Sequence, residues 1–81
     1  MGATVLIADH APMRRGIQMV LAEHVDICAE AEDAQEAIRV AKRERPDVCL
    51  VGRELPGDWL AAVRGVCRAS PGVGVGQVAG L

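Results

Sequence analysis

The sequence predicts a single α/β domain: a parallel sheet wound with helices on both faces. Three observations carry that expectation. Short, apolar, β-branched runs alternate with longer segments whose apolar residues recur at helical spacing. The runs are apolar at successive positions, as in strands buried on both faces. Strand–helix–strand succession with right-handed crossovers makes neighbouring strands parallel.

The elements follow in order. Thr4-Val5-Leu6-Ile7-Ala8 reads as the first strand. Pro12 suits the first position of the helix behind it, whose face would carry Met13, Ile17, Val20 and Leu21, with His24 in the last turn. Residues 26–31 form a weaker second strand with charged ends. Asp33-Ala34-Gln35-Glu36 is a capping box: Asp33 can accept from the Glu36 amide while Glu36 reaches back. Behind it Ala34, Ala37, Ile38 and Ala41 share one face. Acids cluster in the first turn, and Lys42, Arg43 and Arg45 in the last, which complements the helix dipole; Pro46 stops the helix. Residues 48–51 are a third strand, and 52–57 a loop. Asp58 caps a third helix through Ala69, with Leu60, Val63 and Cys67 expected on its inner face. Ser70-Pro71-Gly72 is a turn, and residues 73–78 are a fourth strand weakened by Gly74 and Gly76.

Composition narrows the function classes. A chain of 81 residues holds one domain, and 51% hydrophobic against 25% charged residues describes a folded core, not charged disorder. Trp59 is the only aromatic, so no platform exists for stacking bases. A net charge of −2 draws the chain neither to nucleic acid nor to anionic lipid, and contact with either is not expected. Cys28, Cys49 and Cys67 are widely spaced within apolar runs and lack zinc-ligand spacing, which suits a reduced, cytoplasmic protein. No apolar run approaches the ~18 residues of a membrane span.

In wound parallel sheets, ligands bind beyond the carboxyl ends of the strands. The informative residues are therefore those after Ala8 and Val51. Four segments occur in order: Val5-Leu6-Ile7-Ala8-Asp9-His10-Ala11-Pro12, Ala29-Glu30-Ala31-Glu32-Asp33-Ala34-Gln35-Glu36-Ala37, Arg45-Pro46-Asp47-Val48 and Leu55-Pro56-Gly57. Together they resemble a bacterial response-regulator receiver domain of the CheY-like kind. The wording is closest to receivers that precede a LuxR-type DNA-binding domain. The resemblance runs from Thr4 to Gly80. It implies a flavodoxin-like sheet of order 2-1-3-4. It also implies one incomplete receiver-like domain over residues 1–81, without the family's last helix, strand and helix.

In that family two adjacent acids after the first strand hold Mg²⁺. An aspartate ending the third strand takes phosphate from a histidine kinase, and a Thr or Ser after the fourth strand reads it out. An anionic phosphoryl group approaches a carboxylate only with a hard cation between them. This sequence departs from the pattern. Counting four back from Pro56, the acceptor position holds Gly52, which has no nucleophile. Of the acid pair only Asp9 remains; either His10 stands second, or Ala8 replaces the first acid with a one-residue deletion. The switch position falls on Ala79. One carboxylate beside an imidazole makes a poor Mg²⁺ site, so Asp9 is a weak metal candidate and no cofactor is expected. The plain expectations are that Asp9 is a helix-cap or solvated loop acid and that His10 faces solvent.

Other features stay plain. Asp47 lies at the opposite end of the third strand, and Glu54 and Asp58 lie in or after its loop. The glycines at 72, 74 and 76 follow the last helix instead of opening one, so they do not make a dinucleotide site. Arg14-Arg15 and Arg43-Glu44-Arg45 read as solvated helix faces, and Trp59 as a packing residue with an interface role open.

The function expected from the resemblance is non-enzymatic. It is a phosphate-independent pseudo-receiver related to two-component regulators of transcription, acting through a protein partner or self-association. The alternative is a receiver fragment of a phosphorelay regulator controlling DNA binding, with its acceptor changed, which would contact a histidine kinase. A small nucleotide-binding enzyme ranks third. An open fourth-strand edge and an apolar sheet face underlie the expectation of a dimer.

Overall fold

A computed structural model describes residues 3–78. Strand β1 (Thr4–Ala8) leads to helix α1 (Ala11–Leu21), β2 (Asp26–Ala31), α2 (Ala34–Glu44), β3 (Val48–Gly52), α3 (Trp59–Ala69) and β4 (Gly74–Val78). All neighbouring strands are parallel, in the order β2-β1-β3-β4. The predicted flavodoxin-like order is therefore observed.

The pleat explains why the strands are apolar throughout. Leu6 and Ala8 of β1, with Cys49 and Val51 of β3, pack against Ala34, Ala37, Val40 and Ala41 of α2 and Ala62 and Val66 of α3. Val5 and Ile7 point the other way, onto Ile17 of α1, beside half-buried Val48 and Leu50. Among the described residues, one face of the sheet carries two helices and the other carries one.

Helix α2 follows its sequence signals closely. Asp33 Oδ1 accepts from the Glu36 amide at 2.8 Å, and Glu36 Oε1 accepts from the Glu32 amide at 3.0 Å. The helix ends on Arg45 in the left-handed region at φ 46°, a strained choice for a side-chain-bearing residue, just before Pro46. Its buried residues are Ala34, Ala37, Val40 and Ala41, with half-buried Ile38 packed against the same core. Ile38 lies at the α3 side of that face, where a Cβ at Gly65 would collide with it.

The expectations for two helices need correction. Helix α1 stops at Leu21, leaving His24 beyond it, and Val20 is 63% exposed. On α3 the inner face is Ala62 and Val66, flanked by half-buried Trp59, Val63 and Ala69, whereas Leu60 and Cys67 are exposed. Spacing from Trp59 by three and four reproduces that face; apolar character at Leu60 and Cys67 pointed one step away from it. Strand β4 forms as expected, pairing from Val48↔Gly74 to Gly52↔Val78.

One tie was not foreseen. The Thr4 amide and hydroxyl both donate to Asp47 Oδ2, at 2.8 and 3.1 Å, and Thr4 Oγ1 accepts from the Asp47 amide at 3.0 Å. It clamps the starts of β1 and β3 together and gives Asp47 a structural role far from the carboxyl edge.

Candidate functional site

The carboxyl ends of β1 and β3 lie side by side, with Ala8 opposite Val51. The next residues, Asp9 and Gly52, therefore meet at the centre of the sheet's functional edge. Asp9 is 1% exposed. Its Oδ1 accepts from the His10 amide at 2.8 Å and lies 2.9 Å from His10 Nδ1. With the carboxylate ionised, Nδ1 is the nitrogen that must carry the proton. A buried carboxylate needs such donors, because it has lost its water.

Gly52 makes the inward turn of Asp9 possible. A Cβ built on Gly52 would collide with Oδ2 and Cγ of Asp9. The Asp9 carboxylate thus fills the space that any side chain at 52 would need. Asp9 is neither a cap nor a solvated acid, and His10 is not simply solvent-facing. His10 is the N-cap residue of α1, but its ring bonds Asp9 and makes no capping bond. The burial follows from a glycine on the adjacent strand, which is a tertiary relation.

The remaining acids stand apart. Asp58 Oδ1 accepts from the Leu60 and Ala61 amides at 3.0 and 3.2 Å and caps α3. Glu54 is exposed in the loop, whose Leu55 is buried and whose Pro56 carbonyl accepts from the Ala34 amide at 3.0 Å. Gly57, at φ 101°, passes against the Ala34 Cβ and holds the loop on the start of α2. Among the described residues no three His, Cys, Asp or Glu side chains gather as a metal would require. The switch position, Ala79, lies outside the described residues. Arg14 is less solvated than the sequence implied: its side chain is 15% exposed and its Nη1 lies 3.6 Å from Glu30 Oε1. Burial pushes the Cys49 thiol up to about 12 and raises that of Cys28, so neither is a thiolate nucleophile at neutral pH. Trp59 packs against the α2–α3 core, as its packing reading requires.

Comparison with known proteins places this geometry. No family model matches the chain. It is 36% identical over 67 residues to the transcriptional regulatory protein LiaR of Bacillus subtilis, covering 79% of this chain and 32% of LiaR. It superposes on a LuxR-family two-component response regulator from Aurantimonas sp. SI85-9A1 with a TM-score of 0.82 and 26% identity, over 95% of this chain and 58% of that one. The chain belongs to the response-regulator receiver family. The same fold recurs, at 18% identity and a TM-score of 0.67, in the anti-anti-sigma factor PhyR of Bartonella quintana, solved in complex with the anti-sigma factor NepR; the match covers 93% of this chain and 32% of PhyR. The chain spans 18% to 35% of the length of the curated relatives it matches. Gly52 is the last residue of β3, and Asp9 follows directly on β1. No helix among the described residues is long and apolar enough to cross a membrane.

Proposed function

We propose that this receiver-like domain works without phosphoryl transfer, as a pseudo-receiver that signals through protein contacts. The observation that carries the reading is the Asp9 carboxylate lying where a side chain at 52 would stand. Phosphoryl transfer at that edge needs a nucleophile, a bound cation and an open approach for the donor. Gly52 supplies no nucleophile, and Asp9 is turned inward onto His10. Asp9 cannot itself take the phosphate, since its buried oxygens have no approach for a donor.

We infer that such a fold transmits its signal through protein contact. PhyR, which shares the fold, is solved bound to a protein partner, and this supports the reading by analogy alone. On this chain Met19 is 84% and Val20 63% exposed on α1, on the side of the sheet that carries one helix. Strand β4 is an edge among the described residues. Self-association through these surfaces is the contact we favour. Likeness to LiaR keeps a second reading in view: part of a transcriptional regulator whose DNA binding is controlled elsewhere in the protein.

The test of the main reading is intact-mass measurement after incubation with acetyl phosphate and Mg²⁺. The mass should not change. A hydroxylamine-labile phosphorylated species would overturn the proposal.

A further inference from the structure

We propose that the outer groove between α2 and α3 is a docking site for an acidic amphipathic helix of a protein partner. This rests on the protein-contact half of the reading above and is independent of the loss of phosphoryl transfer. The groove has a volume of about 600 Å³. Half-buried Ile38 and Gly65 form its apolar floor, and exposed Ala61, Lys42, Arg64 and Arg68 its rim. Gly65 contributes no side chain, and Ile38 lies against the α3 backbone there, so the floor is smooth as well as apolar. Leu60, 47% exposed, adds an apolar lip.

The rim cations have no carboxylate of their own. The ion pairs among the described residues are His10–Asp9, Arg14–Glu30, Arg39–Glu36 and Arg43–Glu44. Lys42, Arg64 and Arg68 appear in none of them. The one acid lining the groove, Asp58, sits at the start of α3 with Oδ1 held by two backbone amides. Three cations and one acid give a local charge of +2 on a chain whose net charge is −2. The patch is therefore a local feature, not part of a general positive field.

Charge and shape together choose the occupant. The rim and lip residues are exposed, so a small molecule would keep much of its surface in water. An amphipathic helix would seat apolar side chains at i, i+3 or i+4 and i+7 on the floor and place carboxylates against the rim. Arginine fits that role well, since its planar fork takes a carboxylate with two parallel bonds. A membrane is disfavoured, because the net negative charge opposes anionic lipid and the apolar surface lies in a trough, not on a projection.

The probe is a fluorescently labelled synthetic helix with leucines on one face and glutamates flanking them. Its control carries lysines in place of the glutamates. Anisotropy titration should show saturable binding of the glutamate helix, weakening as salt is raised, and no binding of the lysine helix. The double variant R64E/R68E should weaken binding roughly tenfold or more. R64K/R68K, which keeps the charge but loses the fork, should bind more weakly than the wild type and more tightly than R64E/R68E, and both variants should melt as the wild type does, because the altered side chains are exposed. Equal binding of the two helices, indifference to R64E/R68E, or tighter binding to phosphatidylserine vesicles than to the glutamate helix would overturn the proposal. Acetyl phosphate labelling of the same preparation reports separately on the phosphate-independent reading.

Discussion

At the scale of single residues, Asp9 and Gly52 act as one unit. The carboxylate can turn inward only because position 52 has no side chain, and the His10 amide donates to it there, with His10 Nδ1 2.9 Å away. Gly52→Ala should therefore destabilise the fold by about 1–3 kcal/mol, the usual cost of overpacking. In an Asp9→Ala background the space is empty, and most of that cost should vanish. Thermal melts of the two single variants and the double variant measure the coupling. Additive effects would show that Asp9 does not occupy the space beside Gly52. Gly52→Asp alone should likewise fail to restore phosphorylation, since two carboxylates would compete for one site. The residues of this site were legible in the sequence, but their relation was not. Spacing placed both at the carboxyl edge; only adjacency of β1 and β3 shows that one fills the other's place.

At the scale of elements, two helix-interior glycines should respond oppositely to the same change. A Cβ on Gly16 of α1 meets nothing within 4 Å. Gly16→Ala should stabilise by about 0.5–1 kcal/mol through helix propensity alone. A Cβ on Gly65 of α3 would strike Ile38, so Gly65→Ala should lose that gain and become net destabilising. Truncating the partner, Ile38→Ala, should restore the favourable sign. A gain at Gly65 equal to that at Gly16 in the wild-type background would show that α2 and α3 do not approach closely there. The same comparison shows what a sequence can and cannot say about an element. Helix α2 was legible to its boundaries, because Asp33, Glu36 and Pro46 act locally. The inward phase of α3 was not, because Ala62 and Gly65 face in through fit against α2, while Leu60 and Cys67, apolar but exposed, mislead. The Thr4–Asp47 clamp was invisible for the same reason: it joins residues 43 positions apart.

At the scale of the whole molecule, the sheet is covered unequally. Among the described residues, two helices cover the face of Leu6, Ala8, Cys49 and Val51, and α1 covers that of Val5 and Ile7, where Val48 and Leu50 stay half-buried. With Met19 and Val20 exposed nearby, self-association is expected at micromolar concentration, and sedimentation together with melts at several concentrations measures it. A monomer whose melting temperature does not depend on concentration would defeat that expectation. The second whole-molecule property is alkaline stability. Cys49 is fully buried, and desolvation raises its thiol from 9.0 to about 12. Cys28 is raised in the same direction, chiefly by burial. Between pH 9 and 12 the unfolded chain therefore releases thiol protons that the folded chain keeps. The folded state binds more protons, so stability is fully present below pH 9 and falls as pH rises toward 12. The slope contributed by Cys49 approaches about 1.4 kcal/mol per pH unit at most. The background is unusually clean, since the chain has no tyrosine and Lys42 is its only lysine. Cys49→Ala should flatten the decline of melting temperature between pH 9 and 11, even though it also lowers stability at neutral pH by leaving a small cavity. An unchanged slope in that variant would mean that Cys49 is not held protonated by the core.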